Sequence, residues 1–394
     1  MSKEKTLTAA IVLSTHTMGL GVIRALGTMG VPIIAVTYNT EDMGYVSRYV
    51  KGVVHVPHPE KLPDEFIDAL IAIGERFGGG LLIPASDETL TTVSQHKTLL
   101  ERSYTVACTE WEVTRKFIDK KYTYALANTA GVPAPHTITP ESTADVEAFD
   151  QRAQYPCLVK PSQSHRYYEL FKTKMVKVNN LDQMRAAYQQ AAEAGMEVML
   201  QELIPGDDAQ GVNYNTYFWD GEPLAEFTAQ QIRNAPPELG SPRVVLSKEI
   251  PEVIESGRKI LKAMGFYGYA CIEFKKDVRD GIYKLMEVNG RHNRSLLLAV
   301  HCGINFPWLQ YNHLVGGVVP TQQPYTKGVY WVDITRDLAY SAKCFREEKL
   351  PLLQYLRPYI APHTFAIFNL RDPNPFIKRC ADVAKKALKI GNHA

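Results

Sequence analysis

The sequence predicts a mixed α/β chain of more than one domain: a Rossmann-like parallel unit first, then an α+β region built on antiparallel hairpins. Three observations carry this. Ala9–Ser14 (AAIVLS) and Val31–Val36 are short apolar runs of the kind buried on both faces of a parallel sheet, and they flank the helical stretch Val22–Met29. Asp220-Gly221 and Asp280-Gly281 each separate two strand-like runs, and Asp-Gly is a strong hairpin signal. At 394 residues the chain is long enough for two or three domains with sizeable cores.

The composition narrows the class. Apolar residues make up 45% and charged residues 22%, as in an ordinary globular protein. The net charge of +2 and the lack of a basic run give no reason to expect nucleic acid. The cysteines (Cys108, Cys157, Cys271, Cys302, Cys344 and Cys380) are scattered without a CxxC pair, so neither a zinc site nor a disulfide framework is expected. A reduced, cytoplasmic setting fits this usage. MSKEKTLTAAIVLS reads as a tail and a strand, not a signal peptide. No apolar run approaches the about 18 residues of a membrane span.

Taken in order, the first turn is Thr15-His-Thr-Met-Gly-Leu-Gly21. Gly19 and Gly21 invite a dinucleotide reading, which would make the protein a nicotinamide-dependent oxidoreductase. Arg24 stands at the third glycine position, and no acid ends the second strand, so a tight strand-to-helix turn accounts better for the pattern. Lys61–Phe77 reads as helix and Leu81–Pro84 as strand, leading to Ala85-Ser86-Asp87-Glu88. Polar groups at the carboxyl end of a parallel strand sit where α/β domains place ligands, and Ser86 or Asp87 also suits a helix cap. Tyr104–Ala107 closes this unit, and Trp111–Gly131 reads as two helical pieces.

Tyr155–Pro161 (YPCLVKP) is an apolar strand ending in Lys160. A lysine there is partly desolvated, so a bound anion would hold it well. Asp182–Ala194 is a helix stopped by Gly195, and Glu197–Leu200 a strand that runs into Gln201-Glu-Leu-Ile-Pro-Gly-Asp-Asp208. Asn213–Trp219 and Pro223–Ala229 form the first hairpin, with Gln231, Arg233 and Arg243 on the connection after it. Pro251–Gly265 is a helix with Pro at its start and Gly past its end.

The chemistry concentrates in YGYACIEFKKDVRDGIYKLMEVNGRHNR, Tyr267 to Arg294. If Tyr267–Phe274 and Ile282–Val288 pair about Asp280-Gly281, Glu273 falls beside Glu287. Alternation then puts Leu285, Glu287 and Asn289 on one face. Like charges opposite each other destabilise a sheet unless one is protonated or a cation lies between them. Two carboxylates and the Asn289 amide form an all-oxygen set suited to Mg²⁺. Arg291, two residues on, would aim a fixed planar cation at a phosphate or a developing oxyanion.

This segment resembles the metal-binding hairpin of the ATP-grasp ligases, whose last strand carries Glu-x-Asn-x-Arg. Asp119-Lys120 with Gly131-Val-Pro-Ala-Pro135, Lys160-Pro161 and Glu202 through Asp208 follow the same order. The likeness covers about residues 5 to 320, and is strongest to the carboxylate–amine ligases of the carbamoyl-phosphate synthase and D-aspartate ligase type. It implies a pre-ATP-grasp domain over 1–112, the ATP-grasp N-terminal part and lid over 113–198, a catalytic core over 199–320 and a tail of unassigned role over 321–394. It also implies ATP with Mg²⁺, or Mn²⁺ in its place, held by Glu273, Glu287 and Asn289. Lys120 and Lys160 would meet nucleotide phosphate, Glu202, Leu203 and Ile204 the adenine, and Asp207 or Asp208 the ribose. Arg291 and Lys160 become the catalytic pair. Small carboxylate and amine substrates, an amino acid among them, and a homodimer fit ligases of this kind. Ser162–Tyr168 departs from the glycine-rich lid, with no glycine between Pro161 and Gly195. A non-catalytic ATP-binding module is the alternative which that departure supports.

Overall fold

Ala10–Leu13 (β1), Ile33–Thr37 (β2), Val50–His55 (β3), Gly80–Pro84 (β4) and Tyr104–Val106 (β5) form one parallel sheet, ordered β3-β2-β1-β4-β5. The computed structural model describes residues 7–161, 170–171, 173, 175–237 and 240–391. Ser162–Tyr168 lies outside them. Side chains alternate across β1: Ala10 and Val12 join one buried cluster, Ile11 and Leu13 another. This two-sided burial is why the strand reads as a continuous apolar run. The strand order reverses beside β1, between β1 and β4, where α/β sheets open a crevice at their carboxyl ends. The helix after β1 spans Thr17–Gly27, five residues ahead of the expected start. A Cβ on Gly19 would lie 2.0 Å from the Ser14 carbonyl oxygen, so the turn itself requires the glycine. Arg24, at the third glycine position, is buried with its Nε 2.9 Å from Asp372 Oδ2.

Thr137–Ile138 (β6), Cys157–Pro161 (β7), Val176–Val178 (β8) and Val198–Glu202 (β9) make a small antiparallel sheet, ordered β6-β9-β7-β8. It has a core of its own around Phe149, Val159, Met184 and Leu200. The largest sheet contains Gly211–Trp219 (β10), Glu222–Ala235 (β11), Ser241–Ser247 (β12), Gly268–Lys276 (β13), Tyr283–Asn289 (β14), Tyr330–Val332 (β15) and His363–Phe365 (β16). Its order is β14-β13-β10-β11-β12-β15-β16, antiparallel except for β15 with β16. Asp220 and Gly221, at φ 50° and 77°, turn β10 into β11 with the positive φ pair that Asp-Gly suits. Thus residues beyond 320 supply two strands of this sheet, and the tail is part of the core. Among the described residues, no helix is long and apolar enough to cross a membrane.

Candidate active site

The site is built on the β13–β14 pair. Glu273 stands opposite Glu287, Cys271 opposite Asn289, and Phe274 opposite Leu285. The last two pairings differ in register because β14 spends an extra residue, Met286, at a bulge. Leu285 therefore packs with Phe274 in the apolar core, and the expectation that it shares a face with Glu287 is corrected. Met286 instead lines the cavity beside Glu287.

That cavity, of about 150 Å³, is bounded by Lys120, Lys160, Glu202, Leu203, Ile204, Asp208, Gln231, Asn234, Glu273 and Glu287. Asn289 adjoins it, its Nδ2 3.5 Å from Glu273 Oε1. Each wall follows from a local structure. Lys120 opens the helix Lys120–Thr129, capped by Asp119, and its Nζ lies 2.9 Å from Glu287 Oε1. Lys160 sits near the end of β7 and donates to the amide oxygen of Gln201 on β9. Glu202 ends β9, pairs with Arg279 at 2.6 Å and accepts from the His136 amide. Asp208 accepts from the Asn234 amide at 2.6 Å. Gln231 reaches Asn213 Oδ1 at 3.0 Å and Glu273 Oε2 at 3.4 Å.

The electrostatics mark the same residues. Burial, then the facing Glu287, pushes the Glu273 carboxyl up from 4.5 to about 7. Glu287 resists its own burial and stays low, because the Lys120 ammonium is bonded to it. Burial and the neighbouring Lys120 charge bring Lys160 down from 10.5 to about 7. Perturbed carboxylates and lysines in one cleft are the usual sign of a functional site. Among the described residues, no group of three or more His, Cys, Asp or Glu is placed to hold a metal ion, and the hairpin offers two carboxylates and an amide.

Arg291 points away from a simple hairpin end. Its Nε and Nη2 each lie 2.7 Å from the oxygens of Asp87, at the start of the helix Asp87–Gln95 after β4. Sequence reasoning placed both residues near ligand without pairing them. Arg233 and Arg243, read as lying on a connection, stand on β11 and β12 and are buried on Asp337 at 3.0 and 2.9 Å. Gln231 and Asn234 face the cavity from that stretch. Gln201, which holds Lys160, was missed. Its signal was a polar side chain directly after the apolar run Val198–Leu200, where Gln201 is fully buried.

Residues 239–336 match the family described as ATP-grasp in the biosynthetic pathway with Ter operon. The chain is 25% identical over 283 residues to D-aspartate ligase of Enterococcus faecium (strain Aus0004), covering 66% of each. It is 26% identical over 211 residues to D-alanine–D-alanine ligase of Ectopseudomonas mendocina (strain ymp), covering 49% of this chain and 63% of that one. It thus spans a little under two thirds of the length of these curated relatives. Among solved structures, the biotin carboxylase complex from Campylobacter jejuni superposes with a TM-score of 0.66 at 15% identity, over 83% of this chain and 75% of that one. Residues 239–336 thus match an ATP-grasp family, the chain is similar to D-aspartate ligase over 66% of its length, and its fold resembles that of biotin carboxylase.

Proposed function

We propose that the protein is an ATP-dependent carboxylate–amine ligase that releases ADP and phosphate. The observation that carries this is the facing pair Glu273 and Glu287, set in one cavity with Lys120 and Lys160. Two carboxylates held this close, one with its proton affinity raised, fit a hard divalent cation. Glu273, Glu287 and Asn289 would hold Mg²⁺, with Mn²⁺ suited to the same oxygens. When bound, the ion would neutralise charge on the nucleotide phosphates.

The chain's own residues set the rest. Lys160, poised at about 7, gains its proton when an anionic phosphate arrives. Lys120 is already charged and bridges Glu287 to the same space. Glu202, Leu203 and Ile204 form the wall for adenine, and Asp208 or Asp207 the ribose edge. A substrate carboxylate oxygen attacks the γ-phosphorus, and the bond to the β-phosphate oxygen breaks to leave ADP. An amine nitrogen then attacks the acyl carbon, the C–O bond to phosphate breaks, and the amine proton passes to solvent. Arg291, fixed by Asp87, stabilises the oxyanion that forms on the acyl group. Amino acids are the substrate class that the D-aspartate ligase likeness favours, and a homodimer accords with the reading.

The test is nucleotide product analysis with Mg²⁺-ATP and pools of amino acids, other carboxylates and amines. ADP and phosphate formed only with a particular pool is the expected result. AMP and pyrophosphate would replace the acyl-phosphate route with an adenylate one.

A further inference from the structure

A second cluster of charge lies apart from the nucleotide cavity, where the first turn meets the chain after the hairpin. We propose that His16, Arg294, Arg336 and Arg379 enclose a site for a doubly charged oxyanion group on the substrate; this rests on the ligase reading, with the reacting carboxylate at Arg291. The four residues come from four segments: the turn after β1, the chain after β14, the helix Ile334–Ala339 and the C-terminal helix Asn374–Gly391.

Their partners do not balance them. Asp333 is the carboxylate among them, 3.1 Å from Arg294 Nη2, and it also accepts from Thr335 Oγ1 and the Arg336 amide. Arg336 spends its terminal nitrogens on Pro242 O, Ala235 O and Ser241 Oγ. No carboxylate among the described residues pairs with Arg379. The Nε atoms of Arg294 and Arg379 are both buried without a partner. Three guanidiniums around one carboxylate leave two positive charges in excess. Burial and mutual repulsion draw Arg294 down to about 10, and burial with these same arginines holds His16 near 4, uncharged. Buried like charges are costly unless an anion completes them, and guanidinium forks suit oxyanions.

The position points the same way. His16 is the N-cap of the 11-residue helix Thr17–Gly27, and its side chain makes no cap bond. This end lies at the carboxyl edge of β1, beside the strand-order reversal. Arg294 follows Arg291 by three residues. One substrate spanning both would carry its reacting carboxylate at Arg291 and a phosphate, or a pair of carboxylates, toward His16.

Calorimetric titration of the full chain with inorganic phosphate, malonate and acetate tests this, with and without a saturating non-hydrolysable ATP analogue and Mg²⁺. Phosphate or malonate should bind in both conditions, at least about tenfold tighter than acetate, and whichever is tighter identifies the group. Arg379→Gln should weaken that binding about tenfold or more, and Arg379→Lys less, with the melting temperature recorded for each. Equal acetate binding, an unaffected Arg379→Gln, or competition by the analogue would overturn the proposal. Failure of the analogue to bind while phosphate still does would instead count against the nucleotide cavity.

Discussion

Arg291 and Asp87 are joined by two parallel bonds of 2.7 Å, one from Nε and one from Nη2, and this pair ties the carboxylate hairpin to the end of β4. The guanidinium is largely buried, while the Asp87 side chain is 54% exposed. The pair is therefore a weak contributor to stability, about 1 kcal/mol or less. Its weight lies in orientation. Asp87→Asn should leave nucleotide affinity within about twofold and lower ligation by about tenfold or more. Arg291→Lys should lower ligation further than Asp87→Asn, because an ammonium cannot reproduce the fork. Separate measurement of ATP-analogue binding and turnover checks both, and loss of nucleotide binding in Asp87→Asn would place Arg291 in the nucleotide site instead.

Glu287 is held by Lys120 and faces Glu273, so its replacement removes the counter-charge of Lys120 and the repulsion that raises Glu273. Glu287→Gln should keep the shape and reduce ADP release by about a hundredfold or more. Mg²⁺ affinity in the presence of an ATP analogue should fall with it. Wild-type turnover in this variant would remove the metal role from the hairpin.

The legibility of these features followed the range of the contacts. The Asp280-Gly281 turn and the two flanking strands are local, and they place Glu273 beside Glu287 from sequence alone. Met286 is where that reading broke: nothing in a run of alternating residues marks which one a bulge will absorb, so Leu285 was put on the wrong face. The cap at Asp119 and the strand end at Lys160 were equally local. Asp337, by contrast, stands 104 residues from Arg233 and 94 from Arg243, and no pattern around either arginine signals burial. The same distance hid β15 and β16 as members of the central sheet. Short strands such as Val50–His55, with Gly52 and Lys51 inside, carry too little periodicity to stand out.

The titration of Glu273 and Lys160 predicts an unusual stability profile for the ligand-free protein. Glu273 has its folded value raised from 4.5 to about 7, so its contribution is complete below 4.5 and is lost as pH rises through 7. Lys160 has its folded value lowered from 10.5 to about 7, so its contribution is present above 10.5 and is lost as pH falls toward 7. The two windows meet near neutrality. Melting temperature, measured against a Glu273→Gln/Lys160→Met double variant, should therefore show a relative minimum near pH 7. Mg²⁺ with an ATP analogue should fill that minimum, because the ion favours the ionised carboxylate and the phosphates favour the charged lysine. A flat difference across the range would mean that neither group is perturbed.

Asp337 predicts what the last strands contribute. Its carboxylate is fully buried and receives Arg233 Nη2, Arg243 Nε and the Tyr359 hydroxyl. Arg243 is buried as completely, and donates onward to the Asn234 carbonyl and Cys344 Sγ. Asn234 lines the cavity that holds Glu273 and Glu287 and donates its backbone amide to Asp208, so the network runs from the C-terminal region to the cavity wall. Asp337→Asn would leave two buried guanidiniums facing a neutral amide. Such a loss costs about 3–5 kcal/mol and should lower the melting temperature by on the order of 10 °C. Nucleotide affinity should drop in the same variant at temperatures where it remains folded, because the Asn234 wall loses its brace. Calorimetric melting and analogue binding on one preparation check this, and a variant that melts early yet binds normally would confine Asp337 to the support of the sheet.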